Sequence, residues 1–310
     1  MKTLVPLICT AFLAACGMSE ADVTVTTGSD QDVVTEELGT VVNSYVTLRR
    51  DYRRCMAPLC GGYWVHDLNR VTLNEKYVSA LDFSQSDLDD GSQQMALSGG
   101  DGEVILRGRL GPQESQFKTR KFVVLEAWRG MPGVSAAAGE LFWRVTPLDI
   151  QCFAAPCATM SLRKVNYALT KEGHGLMTHR AALSPLVDQA WMGARVERHD
   201  ALIAAKITDG RTYAGGKEKI VDASQVFIKL PNRNGPCPLM RLAMCPNGEV
   251  HSYSRSDELC MMPAGCVVPG MCAQYIPECP SGYSLATWSG GAAACPVHAC
   301  DPAFLNPAQE

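Results

Sequence analysis

Short runs of apolar, β-branched and aromatic residues recur along the chain, and Gly, Pro, Asp or Asn separates one run from the next. Short runs with such punctuation predict β-strands rather than helices. The predicted strands cover residues 45–48, 62–65, 103–107, 121–125, 141–145, 201–207 and 225–229. Helical periodicity is weak, and only 79–88 and 184–191 are predicted to hold a turn of helix.

The strand pattern occurs twice. Cys55-Met-Ala-Pro-Leu-Cys60 leads to Asn69, and the same order of features recurs 97 residues later, where Cys152-Phe-Ala-Ala-Pro-Cys157 leads to Asn166. After a few inserted residues, 122–125 also matches 226–229. A repeated order of features indicates a duplicated unit. We therefore predict a mainly β fold with two tandem copies of a small β-rich domain, barrel-like or sandwich-like, at residues 45–133 and 141–232.

Residues 235–307 have a different composition, with eight cysteines and many Pro and Gly residues. This segment is duplicated too, because 237–266 and 272–300 each hold four cysteines and a Cys-Pro-x-Gly turn. Units of about 35 residues bury too little surface to fold unaided, so cross-links must hold them together. We predict a disulfide-rich, loop-dominated module with two bridges in each half, and three pairings per half stay open.

The first residues have the plan of a secretory signal peptide, residues 1–15. Met1-Lys-Thr is a cationic start, and the apolar run 4–13 is too short to span a bilayer. Leu13-Ala-Ala-Cys16-Gly17 resembles the lipobox of bacterial lipoproteins, which implies cleavage before Cys16 and a lipid on its sulfur. The alternative is an ordinary signal peptide with a chance cysteine. Residues 16–44 are acidic and contain no Lys or Arg, which predicts a disordered tether after the lipidated cysteine.

Lipidation of Cys16 predicts a location in the cell envelope, with the lipid as the anchor. Gly17, rather than Asp, follows the lipidated cysteine. By resemblance to lipoprotein sorting in bacteria with two membranes, this favours the outer membrane. The face of the membrane on which the protein lies, periplasmic or surface-exposed, stays open.

Composition narrows the partners and the redox state. The net charge is −4, and no basic stripe stands out, so nucleic acid is not an expected partner. Of 14 cysteines, Cys9 leaves with the signal peptide and Cys16 takes the lipid. The twelve that remain in an exported chain are predicted to form disulfides. They are Cys55, Cys60, Cys152, Cys157, Cys237, Cys245, Cys260, Cys266, Cys272, Cys279, Cys295 and Cys300.

Candidate chemistry is sparse. The two Cys-x4-Cys pairs admit a four-thiolate zinc site, but export favours one local disulfide in each copy. The acidic residues of 82–90 invite a calcium site, yet they lack the EF-hand spacing, and a solvated turn or helix cap is the simpler interpretation. Among six histidines, His174 and His179 could flank a site, although none has the spacing of a metal motif. No cofactor, metal ion or catalytic residue is therefore predicted.

Two aromatic residues of the cysteine-rich module could bind a ligand. This module offers little core in which large side chains can be buried. Tyr283 and Trp288 would therefore mark a binding face if they are exposed.

Three features together resemble an uncharacterised family of bacterial lipoproteins, a domain of unknown function. They are the Cys-x4-Cys motif followed by Gly61-Gly-Tyr-Trp-Val65, the duplicated domain, and the cysteine-rich tail of 279–304. The resemblance covers most of the mature chain and implies no activity. The second copy departs from the motif and has Ala158-Thr-Met-Ser161, so any role of the motif rests on the first copy.

These features favour a non-enzymatic envelope lipoprotein that binds or scaffolds at the membrane surface. The lipid on Cys16 would hold it at the membrane, and its partner would be an envelope or extracellular protein or a glycan. A second hypothesis is a disulfide-rich inhibitor or ligand-binding module in 235–307. A third is a hydrolase or metal enzyme with its site between the two copies.

We expect the mature protein to begin at Cys16, to carry lipid and to contain no free thiol. Mass spectrometry of the exported protein, non-reduced against reduced, measures all three properties. A full-length chain without lipid and with titratable thiols inside the cell would contradict the export hypothesis. The zinc site, and a redox-active role for the cysteine pairs, would then have to be considered again.

Overall fold

The computed structural model describes residues 33–36, 39–70, 75–114, 116–230 and 237–305. The predicted signal peptide and Cys16 lie outside these ranges. Within the predicted tether, β1 (Val33–Glu36) and β2 (Gly39–Val42) form an antiparallel pair, so this part is a hairpin rather than an unstructured spacer. Both strands are rich in Val and Thr, which favour the extended backbone.

The prediction of a mainly β fold is confirmed. A twelve-stranded sheet is built from two successive sets of strands, each interrupted by one helix. The first set is β3 (Ser44–Arg50), β4 (Tyr63–Asp67), β5 (Lys76–Val78), β6 (Leu81–Asp82), α1 (Asp90–Leu97), β7 (Val104–Gln113) and β8 (Arg120–Gly130). The second set is β9 (Leu141–Pro147), β10 (Met160–Lys164), β11 (Thr170–Gly173), β12 (Gly175–Met177), α2 (Gln189–Glu197), β13 (Ala201–Tyr213) and β14 (Gly216–Leu230), with a short 3-10 helix at His179–Ala181.

The strand order reads the same from both edges of this sheet. It runs β11-β10-β9-β13-β14-β8-β7-β3-β4-β5, with β12 parallel to β14 and β6 parallel to β8. A register shift lies between Arg107 and Gly108 in β7, and another lies between Ala204 and Ala205 in β13, which is the same place in each set. The two halves join edge to edge through β14 and β8, so they share one continuous sheet. The division into separate domains at 45–133 and 141–232 stays a prediction.

Strand pairing corrects the sequence match of 122–125 with 226–229. Phe122 lies opposite Leu110 on β7, and Val221 lies opposite Ile207 on β13. Leu110 and Ile207 are 97 residues apart, so Phe122 corresponds to Val221. The match by composition failed because both β8 and β14 are long runs of similar apolar residues.

Each half covers the sheet with one short helix that begins at an aspartate. The Asp89 carboxylate accepts a hydrogen bond from Ser92 N (2.7 Å), and the Asp188 carboxylate accepts one from Trp191 N (2.9 Å). These N-caps explain why both helices begin later than 79–88 and 184–191 suggested. Trp191 and Met192 of α2 are buried in the largest core cluster. Within the described ranges, no helix has the length and apolar character needed to cross a bilayer.

Asn166 links the second half to the first. Its Nδ2 donates to Tyr45 O (2.8 Å) and Leu68 O (3.1 Å), and its Oδ1 accepts from Tyr45 N (2.8 Å). The residue is buried and has a φ of 63°, a conformation that Asn adopts more readily than most side chains. The amide therefore satisfies backbone groups of the first half, at the start of β3 and just after β4.

Asn69 makes the reciprocal contact. Its Nδ2 donates to Phe142 O (2.9 Å) and Val165 O (2.9 Å), and its Oδ1 accepts from Phe142 N (2.8 Å). Its φ is 61°. Phe142 and Val165 stand 97 residues after Tyr45 and Leu68, so the two sets of hydrogen bonds are equivalent. We call the six hydrogen bonds the asparagine clamps.

The cysteine-rich segment contains a second sheet rather than loops alone. Its strands are β15 (Val250–Arg255), β16 (Met261–Val267), β17 (Tyr283–Gly290) and β18 (Cys295–Pro302), in the order β16-β15-β17-β18, followed by a 3-10 helix at Ala303–Leu305. The prediction that the chain carries disulfides is confirmed. Within each half of this segment the first cysteine pairs with the third and the second with the fourth. The pairs are Cys237–Cys260, Cys245–Cys266, Cys272–Cys295 and Cys279–Cys300.

The second sheet is docked on the second half of the chain. Arg195 of α2 is buried and donates through Nη2 to the Glu258 carboxylate (2.8 Å). Tyr283 Oη donates to Pro132 O (3.1 Å). The Arg195–Glu258 contact is charge-assisted and therefore stronger than a neutral hydrogen bond. The cysteine-rich segment therefore has a fixed position on the main sheet.

Replacement of Asn166 by Ala should destabilise the protein by about 2–4 kcal/mol, because it leaves buried backbone groups of the first half without partners. Ala also fits the left-handed conformation poorly. Urea unfolding of the disulfide-intact chain measures the change. Asn166→Asp retains the acceptor and loses both amide donors, so it should also destabilise the fold. A free energy of unfolding unchanged within about 0.5 kcal/mol for Asn166→Ala would show that the clamp does not join the halves.

Candidate ligand-binding cleft

The second half contains a polar cleft of about 780 Å³ at the edge of the sheet. It lies between β11 and the hairpin of β13 and β14, next to the disulfide loop Cys152–Cys157. Its walls include Pro156, Lys171, Glu172, His174, Ile207 and Lys217. We call it the basic cleft.

His174 has a fixed orientation at the cleft wall. Its backbone N–H donates to Lys219 O (2.9 Å), and its Nδ1 accepts from Lys219 N (2.9 Å). A ring nitrogen that accepts a hydrogen bond carries no proton, so the neutral imidazole bears its proton on Nε2. Nε2 is therefore available as a donor.

Lysines outnumber carboxylates around the cleft. Asp209 receives ion pairs from both Lys217 (3.0 Å) and Lys219, and these contacts lower its pKa, with the Lys219 hydrogen bond as the main cause. Two ammonium groups on one carboxylate leave one positive charge. Lys171 is exposed, its ammonium lies 5.8 Å from the ring centroid of Trp143, and no ion pair with a carboxylate is seen for it in the described parts of the chain. With Glu172 as the remaining acid, the cleft has a small positive excess.

The corresponding place in the first half is filled by side chains. Arg53 lies over the rings of Trp64 (4.9 Å to the centroid) and Tyr77 (5.4 Å), and the two rings contact each other edge to face at 5.4 Å. Arg53 also makes a bidentate pair with Asp51, with N–O distances of 2.9 Å. We call Asp51, Arg53, Trp64 and Tyr77 the Trp64 cluster. Stacking of guanidinium on aromatic faces adds to the ion pair.

The Trp64 cluster holds the disulfide loop Cys55–Cys60 in place through two hydrogen bonds. Tyr77 Oη donates to Pro58 O (2.9 Å), and Arg53 Nη2 donates to Leu59 O (3.3 Å). The Gly-Gly-Tyr-Trp motif serves this packing. A Cβ on Gly62 would lie 2.1 Å from Val78 O, so only glycine lets β4 and β5 approach as they do.

Strand register shows why the second half is open where the first is filled. Trp64 pairs with Tyr77 across β4 and β5, and Ser161 pairs with Glu172 across β10 and β11. Ser161 and Glu172 therefore stand at the positions of the two aromatic residues. Arg53, two residues before its disulfide loop, corresponds to Ile150, which is 55% exposed. Small or charged side chains replace the aromatic fill, and the basic cleft remains.

Most residues singled out from the sequence have structural roles. The two Cys-x4-Cys pairs form local disulfides, which leaves no thiolates for the four-cysteine zinc site. Of the acidic residues considered for calcium, Asp89 caps α1, and Asp82 accepts from Ser84 N (3.0 Å) in a turn. Cys245, His251 and Cys266 lie within 4.8 Å of one another, but the two sulfurs are bonded to each other.

The two aromatic residues predicted to bind a ligand, Tyr283 and Trp288, are buried and half-buried. Tyr283 is only 9% exposed, and burial raises its pKa to about 12, so its ring is not a free binding face. It is buried because the module packs on the segment around Pro132, a contact that the spacing of residues in one sequence does not reveal. Trp288 is half-buried, with the Arg255 guanidinium 5.3 Å from its ring centroid. Cys16 lies outside the described residues.

A basic segment, residues 49–54, was not predicted as a feature of the surface. Residues 49–54 read Arg-Arg-Asp-Tyr-Arg-Arg and contain four arginines. Four arginines within six residues indicate a basic surface, but the net charge of −4 for the whole chain drew no attention to them. In the structure Arg49 pairs with Glu75 and Arg53 with Asp51, so half of the segment is neutralised. Tyr52 remains 80% exposed beside it.

Fold and site together define a mainly β, disulfide-bonded protein with a duplicated strand order and an open cleft in its second half. The chain belongs to the family described as a domain of unknown function, DUF6748, which matches residues 44–232. The match ends before the cysteine-rich segment. An uncharacterized protein of Dictyostelium discoideum is 24% identical over 268 residues, which cover 85% of this chain and 89% of the relative. No solved structure matches the chain.

The Asp51–Arg53 pair should stabilise the fold in a pH-dependent way. The hydrogen bond from Arg53 is the main cause that lowers the pKa of Asp51 to about 2. A depressed carboxyl pKa contributes stability above the unfolded value of about 3.9, and this contribution is lost as the pH falls towards 2. Asp51→Asn should therefore lower the Tm at pH 7, and the difference from wild type should shrink between pH 4 and pH 2. A difference in Tm that is constant over this range would rule out the carboxylate charge as its source.

Proposed function

We propose that this chain is an exported, non-enzymatic binding protein, anchored to the membrane by a lipid on Cys16. All twelve cysteines from Cys55 to Cys300 are paired, which supports maturation in an oxidising compartment. The envelope location and the outer membrane are part of this proposal. The Dictyostelium relative is eukaryotic, so the bacterial origin rests on the lipobox alone.

The observation that carries the binding function is a pair of loops clamped by disulfides. Loop 237–245 has no helix or strand, and the cysteines at its ends are bonded to Cys260 and Cys266 of the following hairpin. Loop 272–279 is held in the same way on β18. Disulfides at both ends lower the entropy that such a loop loses when it binds.

Both loops expose apolar side chains. Leu239 and Met244 are 103% and 95% exposed in the first loop, and Tyr275 and Ile276 are 70% and 74% exposed in the second. Exposed apolar residues in the corresponding loop of both halves of the module indicate an interaction surface rather than scattered surface residues. The expected partner is an envelope or extracellular protein that offers an apolar pocket.

The inhibitor hypothesis is a special case of this binding. Arg241 stands in the middle of loop 237–245 and is exposed. A rigid loop with a central side chain of this kind could occupy the active site of a protease. In that case the captured partner would be a protease, and its inactivation at the active site would abolish capture.

The test compares capture of envelope proteins by three forms of the full mature chain. Wild type and Ile150→Ser/Phe153→Ser should recover the same partner, whereas Leu239→Ser/Met244→Ser should lose it at least tenfold. The control residues, Ile150 and Phe153, are also exposed and apolar, and they lie beside and within the disulfide loop Cys152–Cys157 of the main sheet. A tenfold loss requires only about 1.4 kcal/mol, less than a buried anchor residue contributes. Equal recovery by all three forms, measured by quantitative mass spectrometry, would contradict the proposal.

A further inference from the structure

We infer that the basic cleft binds a saccharide that carries a carboxylate. This site is separate from the clamped loops 237–245 and 272–279, and it does not depend on them. The inference rests on the charge, the donor and acceptor set, the shape of the cleft, and the contrast with the first half.

The charge of the cleft suits one carboxylate rather than a compact dianion. Lys171 is free of carboxylate partners in the described chain, and the two lysines on Asp209 add one further positive charge. Glu172 is the next residue on β11 and also lines the cleft, so its negative charge disfavours a phosphate dianion there. A carboxylate on Lys171 satisfies the excess charge without that cost.

The other polar groups suit hydroxyls. His174 Nε2 offers a donor, because its Nδ1 is occupied by Lys219 N. The Glu172 carboxylate offers acceptors. A saccharide hydroxyl both donates and accepts, so donors and acceptors set side by side recognise it better than they recognise a simple ion.

The size and lining of the cleft fit a short oligosaccharide. Its volume of about 780 Å³ lies in the range of about 300–1,000 Å³ that small-molecule sites occupy. Pro156 and Ile207 give it an apolar wall. The C–H face of a sugar ring can pack on such a wall while its hydroxyls face the polar groups.

The first half shows what the same place looks like when it is closed. There Tyr77 reaches Pro58 O and packs on Trp64, so side chains of the protein occupy the space. In the second half the equivalent residues are Glu172 and Ser161, and Pro156 lines an open cleft. One copy of the duplicated unit is thus closed by its own aromatic residues, and the other is open to a ligand.

Isothermal titration calorimetry on the full mature chain tests this with three probes. Trigalacturonic acid should bind with saturation below about 1 mM, whereas neutral maltotriose and inorganic phosphate should not. Lys171→Ala should weaken trigalacturonic acid binding at least tenfold, as expected for loss of a charge-assisted hydrogen bond. Lys76→Ala is the matched control, because Lys76 occupies the equivalent position on β5, and it should leave binding unchanged.

A second variant fills the cleft with the aromatic residues that fill the corresponding place in the first half. Ser161→Trp/Glu172→Tyr should abolish binding, while the circular dichroism spectrum and the six disulfides stay as in wild type. The inference is overturned if trigalacturonic acid does not bind, if phosphate or maltotriose binds equally well, or if Lys171→Ala and Lys76→Ala have the same effect. Lys171 is exposed, so Lys171→Ala should fold normally. Its binding result therefore tests the inference even if Ser161→Trp/Glu172→Tyr fails to fold.

Discussion

The asparagine clamps are the constraint on which the rest of the structure depends. In each half an asparagine in the left-handed conformation lies two residues after the second strand, and its side chain hydrogen-bonds to the backbone of the opposite half. Buried backbone groups need such partners, and each half supplies some of them to the other. The two halves are therefore held as one sheet, and their disulfide loops and edge strands have fixed positions.

This arrangement lets two copies of one unit take different roles. In the first copy the space beside the disulfide loop is occupied by stacked aromatic and guanidinium groups, which fasten the loop. In the second copy the same strand positions hold serine and glutamate, and three lysines line the basic cleft. Since the clamps and the strand order supply the rigidity, the second copy can do without the aromatic packing and keep an open cleft.

The strands, the repeated order of features and the use of cysteine in disulfides were predicted from the sequence. The spacing of apolar runs, the 97-residue offset between similar motifs and the even number of cysteines are all visible in a single chain. The sequence could not identify the cleft. The offset between the copies is 97 residues up to β10 and changes to 95 at β11, so the match between Tyr77 and Glu172 appears only in the strand register. The burial of Tyr283 was equally hidden, because it depends on how the cysteine-rich module docks on Pro132. The disulfide pairing needed the structure too, since spacing alone allows three pairings per half.

Disulfides and hydrogen-bonded clamps together give a rigid protein with two kinds of exposed feature, namely loops fixed at both ends and a cleft with a small positive charge. The central claim is that duplication left one copy closed and the other open to an acidic saccharide. The most direct measurement is a crystal structure of the full chain with trigalacturonic acid. The account predicts ligand density between β11 and the hairpin of β13 and β14, with a carboxylate at Lys171 and no density beside Trp64. Density at the first half, or an empty cleft at saturating ligand, would contradict it.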